Sequence, residues 1–162
     1  MNSILMAYAT KHGSTREVAE AVAAALREAG AKVDVRLAGR VRGLAGYDMV
    51  VLGAPLYSGR WHRDAGRFLR RNRKQLSGVP VAVFGMGPRT PDADAWSRSR
   101  AQLDRALSKR DWLEPASVAV FGGVDPPKRQ GESRRDLRDW DAIRAWAGQL
   151  NGMANHRHVQ RP

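Results

Sequence analysis

The chain has 162 residues, 43% hydrophobic and 27% charged, with 28 Lys+Arg against 16 Asp+Glu for a formal net charge of +12. That is the length and balance of one soluble domain burying about 70% of its unfolded surface, which excludes wholesale disorder. The absence of cysteine excludes a disulfide scaffold, a thiolate metal or cluster site and thiol catalysis, and no apolar run reaches the ~18–20 residues of a membrane span.

Ile4–Ala9 is the first apolar run. It starts too early to leave room for a signal peptide, so a cytoplasmic protein is expected. A polar loop follows. From Ser14 to about Ala29, Val18, Ala21, Val22, Ala25 and Leu26 fall on one helical face, Ser14 and Glu17 stand at capping-box spacing, and Gly30 is placed to end the helix. Val33–Leu37 alternates in polarity and predicts a strand near a sheet edge. Arg36 to Gly46 is a connecting loop with room for one helical turn. Met49–Leu52 predicts a third strand, with a loop from there through Gly59.

A basic helix is predicted from about His62 to Leu76, with Ala65, Phe68 and Leu69 inward. Val79–Phe84 is the fourth strand, Ala93–Ser108 a helix that Asp92 and Asp94 cap, and Ser117–Phe121 the fifth strand. A polar loop from Asp125 to Arg138 leads to a last helix carrying Trp140, Ile143, Trp146, Ala147 and Leu150. Residues 1–152 are read as one domain and 153–162 as a mobile basic tail.

Five strands alternating with helices imply a parallel sheet covered on both faces. The economical arrangement is the flavodoxin-like three-layer α/β/α fold with strand order 2-1-3-4-5. Ligands of such sheets bind beyond the carboxyl ends of the strands, near the point where strand order reverses. The loops to inspect are therefore those after Ala9, Leu52 and Phe84. A receiver domain of the same topology needs acidic residues at the ends of strands 1 and 3; here those ends carry Ala9-Thr10 and Gly53-Ala54, which excludes it.

The first loop, Thr10-Lys11-His12-Gly13-Ser14-Thr15, leads straight into a helix. Hydroxyls, a glycine, a lysine and a helix N-terminus together suit a phosphate; a plain capped turn is the alternative. The P-loop and Rossmann spacings are both absent. The second loop is Ala54-Pro55-Leu56-Tyr57-Ser58-Gly59-Arg60, with Trp61 next. It can present backbone amides and an aromatic to a flat ligand. The third is Met86-Gly87-Pro88-Arg89-Thr90.

Thr10–Thr15 resembles the flavodoxin phosphate loop, T/S-x-x-G-x-T in outline. Ala54–Arg60, with Phe68 beyond it and Asp139-Trp140-Asp141 opening the last helix, resembles the subfamily that includes the menaquinone-dependent protoporphyrinogen dehydrogenases. The resemblance spans roughly Ser3 to Leu150. It implies FMN, with phosphate on Thr10, Lys11, His12, Gly13, Ser14 and Thr15. It places the isoalloxazine between Ala54, Pro55, Leu56, Tyr57, Ser58 and Gly59 on one side and Met86, Gly87, Pro88 and Arg89 on the other. Tyr57 is the candidate ring partner and Trp61 the second. It further implies electron or hydride transfer, with a quinone or another redox partner. One departure stands out. Those dehydrogenases carry a longer insert before the last helix for quinone or membrane interaction, whereas Asp125 to Arg138 is short, polar and free of aromatics.

The charge excess has two readings. Arg60 and Arg89, on the loops expected to flank the ring, would stabilise an anionic reduced flavin and raise its potential. The stripe from Arg63 to Lys74 would instead favour an anionic membrane surface, placing the protein at the inner face of the membrane. A cofactor-free basic module of the same fold, acting on membrane or nucleic acid, is the alternative function. No motif points to sequence-specific nucleic-acid recognition. His156-x-His158 in the tail is adventitious metal spacing, and no metal is expected.

Overall fold

The computed structural model describes residues 1–126 and 133–159, with side chains through residue 154. Three apolar runs form the centre of one sheet: β1 (Ser3–Tyr8), β3 (Met49–Tyr57) and β5 (Val81–Met86). Burial on both faces explains why these runs do not alternate in polarity. Their neighbours β2 (Lys32–Leu37) and β6 (Ser117–Phe121) lie at the edges and are only partly covered. The parallel order is β2-β1-β3-β5-β6, with a two-residue strand β4 (Arg60–Trp61) pairing antiparallel to β3. The five parallel strands thus follow the predicted order 2-1-3-4-5.

Helices α1 (Ser14–Glu28) and α5 (Trp140–Val159) cover one face. Val18, Val22, Leu26, Ile143, Trp146 and Leu150 meet Ile4, Met6, Met49, Val51 and Phe84 there. Trp146 packs edge-on against Phe84 and Phe121 with ring centroids 5.8 and 5.6 Å away, and its indole N–H donates to the Ser117 hydroxyl at 2.9 Å. On the other face lie α2 (Arg63–Arg71), α3 (Arg73–Leu76) and α4 (Ala93–Ser108), which pack Phe68, Leu69, Leu76 and Leu103 on Leu5, Val50, Leu52 and Val83. Asp92 caps α4, its carboxylate accepting from the Ala95 amide at 2.8 Å.

The structure departs from the sequence-based expectation in several places. β3 does not stop at Leu52; Ala54 and Pro55 continue the ladder opposite Gly85 and Met86, and Leu56 and Tyr57 pair with Trp61 and Arg60. The basic helix breaks at Asn72, whose buried side-chain amide donates to the Phe68 carbonyl at 2.9 Å. The Ser14–Glu17 capping box does not form: Gly13, at φ 90°, takes the N-cap position and no side chain caps α1. Helical backbone in α5 continues to Val159, through much of the stretch expected as a mobile tail at 153–162. Residues 160–162, part of the Asp125–Arg138 loop (127–132), and the side chains of His156 and His158 lie outside the described residues.

One glycine is dictated by packing. Gly53 sits opposite Phe84 in the ladder, and a β-carbon there would come within 2.0 Å of the Phe84 ring. Gly53→Ala is expected to cost about 2–3 kcal/mol, because the ring is locked in a close-packed core. Urea denaturation checks this; an unchanged midpoint would show that Phe84 can rotate away.

Candidate functional site

The carboxyl ends of β1, β3, β5 and β6 converge on one cleft. Its first wall is the loop entering α1. The Gly13 amide donates to Thr10 Oγ1 at 2.8 Å, which closes the loop on itself. The left-handed Gly13 then turns the chain so that the first amides of α1 point outward with no intrahelical partner. Thr15 follows, with no exposed surface, and its hydroxyl oxygen has no hydrogen-bond partner. A buried hydroxyl without a partner among the described residues thus stands beside uncapped amides, at the positive end of a fifteen-residue helix, an arrangement whose chemistry suits an anion.

Arg138 fastens this wall from behind. Its side chain is 8% exposed, pairs with Glu17 at 3.2 Å and Asp136 at 2.7 Å, and donates to the Ser14 carbonyl at 3.4 Å. Glu17 is thereby paired with a cation rather than free to cap its own helix. The Asp136 carboxyl lies below its ordinary range, held there chiefly by its hydrogen bonds from Arg138.

The second wall is the β3–β4 hairpin. Ser58 and Gly59 both adopt positive φ, 51° and 73°, the two-residue turn that suits the twist of a tight hairpin. Trp61 is buried and donates its indole N–H to the Ala54 carbonyl at 3.2 Å, so it braces the hairpin from the core side. Tyr57 is the aromatic left on the cleft. The Lys11 ammonium lies 4.7 Å from its ring centroid, and His62 meets it edge-on at 5.8 Å. Burial holds His62 below its ordinary value despite the opposing pull of Asp64. Its Nδ1 accepts from the Asp64 amide at 3.1 Å, so the neutral ring carries its proton on Nε2.

The third wall follows β5 and β6. Gly87 donates its amide to the Phe121 carbonyl at 2.7 Å, and Gly123 to the Pro88 carbonyl at 2.8 Å. Lys11, His12, Ser14, Pro55, Leu56, Tyr57, Met86, Gly87 and Arg89 line the cleft. Thr10, Gly13 and Thr15 form the loop behind it. Ala54 and Pro88 are buried, whereas Ser58 and Gly59 form the exposed hairpin tip. Gly123, Val124, Pro126 and Arg134 also line the cleft and were not foreseen. The signal was available: Gly122-Gly123 stands at the carboxyl end of a strand, where the same topological rule points. Arg134 is anchored by donating to the Asp125 carbonyl at 2.7 Å. The foreseen Arg60 belongs instead to a neighbouring groove. Among the described residues, none lining the cleft is acidic.

An open, doubly wound parallel sheet with an uncapped helix start and an aromatic-walled cleft at its switch point defines the flavodoxin-like class. The sequence bears this out: residues 5–137 match the flavodoxin domain family, and the chain belongs to it. The chain is 26% identical over 133 residues to the protoporphyrinogen IX dehydrogenase [quinone] of Escherichia coli strain K12, covering 76% of this chain and 70% of that protein. Among solved structures it resembles a short-chain flavodoxin associated with a bacterial microcompartment, at 21% identity and TM-score 0.67 over 95% of this chain and 99% of that one. It also resembles the rubredoxin:oxygen oxidoreductase of Desulfovibrio gigas, at 17% identity and TM-score 0.66, over 96% of this chain but only 37% of that longer chain. The cofactor that goes with family membership is FMN. The residues present fit it, since the orphan Thr15 hydroxyl and the uncapped α1 start match a phosphate ester, and Tyr57, Leu56 and Met86 offer an apolar bed for a flat ring.

Proposed function

We propose that this chain is an FMN-dependent redox protein that passes electrons or hydride to an oxidising acceptor of the quinone type. The observation that carries the reading is the buried Thr15 hydroxyl at the start of α1, without a hydrogen-bond partner among the described residues, beside a cleft whose described lining is cationic and not acidic. Thr10 through Thr15 hold the phosphate: Lys11 supplies charge, the α1 amides supply donors, and Thr15 supplies a hydroxyl that water does not reach. Pro55–Tyr57 and Met86–Arg89 clasp the ring, with Ala54, Pro88, Ser58 and Gly59 shaping the two loops. Tyr57 is steadied by Lys11 on one side and His62 on another. Bound FMN supplies one- and two-electron chemistry, and the protein's part is orientation and field. Lys11, Arg89 and Arg134 favour negative charge on the ring system, opposite to the effect of a carboxylate-lined site.

Purified protein should be yellow, or should quench FMN fluorescence on addition with a stoichiometry of one. A folded, colourless protein indifferent to FMN would leave the cofactor-free module as the better account. Reduction by NADPH, menaquinol or porphyrinogen in turn then identifies the partner. The protoporphyrinogen activity printed for the E. coli relative is a candidate on the strength of that similarity alone.

A second reading concerns location. Arg70, Arg71, Arg73 and Lys74 are exposed at the end of α2 and in α3, with the Arg73 guanidinium 5.5 Å from the Trp112 ring centroid. That patch suits peripheral contact with an anionic bilayer, where quinones reside. Among the described residues no helix is long and apolar enough to cross a membrane. Sedimentation with phosphatidylglycerol vesicles should show binding that fades between low and physiological salt; absence of binding at low salt refutes the contact.

A further inference from the structure

Beside the cleft, on the face of the sheet that carries α2 and α4, lies a second concavity of about 440 Å³. Two helix faces form it. On α2 the facing residues are Arg63, Gly66, Arg67 and Arg70; on α4 they are Gln102, Arg105, Ala106 and Lys109. Both sets read i, i+3, i+4, i+7, the spacing of one helical stripe. A glycine and an alanine hold the middle of the two stripes, the Arg110 guanidinium lies over the glycine, and cations flank the floor on both sides.

These cations outnumber their acidic neighbours. Among the described residues, none lining the groove is acidic. The carboxylate contacts that reach into the lining, among the described residues, are loose ones to Asp64, from Arg67 at 3.8 Å and from His62 at 3.9 Å. Arg110 lies across Gly66 and spends one N–H on the Ala106 carbonyl at 2.6 Å. Burial, and next the Arg70 charge, push the Arg110 guanidinium below its ordinary value. A solvated basic stripe on a lone helix would need no ligand. Two such stripes turned toward one another, around a hollow of ligand size, concentrate positive potential that favours an anionic ligand.

We propose that the α2–α4 groove is a binding site for a multiply phosphorylated small molecule, separate from the flavin cleft. Two features select that class. Guanidinium forks outnumber ammonium groups in the lining, and forks match phosphoryl oxygens two at a time. The stripes also extend over seven residues, a rise of about 10 Å, which one orthophosphate cannot span but a di- or triphosphate can approach from both walls. The source is a nucleotide or a free polyphosphate.

The test is isothermal titration of the full chain, saturated with FMN so that the α1 site is filled, at about 0.15 M salt. Tripolyphosphate and pyrophosphate should bind saturably, at least tenfold more tightly than orthophosphate. The triple change Arg67→Ala, Arg70→Ala, Arg105→Ala should weaken tripolyphosphate at least tenfold. The charge-matched control Lys32→Ala, Arg40→Ala, Arg98→Ala, at exposed positions outside the groove, should change it less than twofold. ADP binding tenfold tighter than pyrophosphate assigns a nucleotide, and equal affinities assign the bare anion; both uphold the site. Equal loss in the two triple variants, or no saturable binding, overturns it. Vesicle or nucleic-acid binding that the groove triple abolishes, in a protein blind to tripolyphosphate, also overturns it in favour of a surface contact.

Discussion

Thr15→Asp is expected to lower FMN affinity about a thousandfold while changing riboflavin affinity less than about threefold. The substituted carboxylate would occupy the position of the buried orphan hydroxyl, at the start of α1. Two like charges held about 5 Å apart at an effective dielectric near 20 repel by several kcal/mol, and a thousandfold change is about 4 kcal/mol. Thr15 has no exposed surface, so the buried carboxylate costs stability that the helix dipole offsets only in part. Circular dichroism of the variant must show a native fold before its affinities are compared. Thr15→Val isolates the hydroxyl and should cost FMN about tenfold, the value of one hydrogen bond to a charged group. Fluorescence titration with both flavins reads all four numbers. Equal loss of FMN and riboflavin would mean that this loop does not hold the phosphate.

The second large effect is on redox potential. Lys11, Arg89 and Arg134 line the cleft, and among the described residues none of its lining is acidic. A cation about 8 Å from an anionic reduced ring, at an effective dielectric near 20, stabilises it by roughly 2 kcal/mol. On a one-electron step that is on the order of 90 mV. Arg89→Glu reverses one such charge. The gross change is about 180 mV downward, and since Arg89 is exposed, salt and solvent should halve it to about 90 mV. Potentiometric titration of wild type and variant at two salt concentrations checks the sign and the screening. A strongly negative second potential in the wild type would refute the cationic-field account.

Much of this was legible in the sequence because the physics was local. Uninterrupted runs such as Ile4–Ala9 mark strands buried on both faces, and Val18, Val22 and Leu26 mark the helix face that covers them. What escaped was tertiary. Pro55 reads as a loop residue, yet β3 runs through it because β5 lies alongside, with Met86 as its ladder partner. Ser14 and Glu17 have capping-box spacing, but Gly13 takes the cap position and Glu17 turns to Arg138, far along the chain. Arg134 could not be placed at the cleft without knowing that residues 123–125 pair back against 135–137. The stripes on α2 and α4 are each visible as spacing, and their facing one another is not.

The Arg138 fastening has a consequence for how the protein is made. The Ser14 carbonyl it reaches lies 124 residues earlier in the chain. At about 5–20 residues per second, that separation is some 6–25 s of translation. The loop entering α1 leaves the ribosome well before its brace and the α5 helix that covers α1. Cofactor capture is therefore expected only once Arg138 and α5 have emerged, and a ribosome stalled before Arg138 should display a nascent protein with most of its sheet synthesised and little grip on flavin.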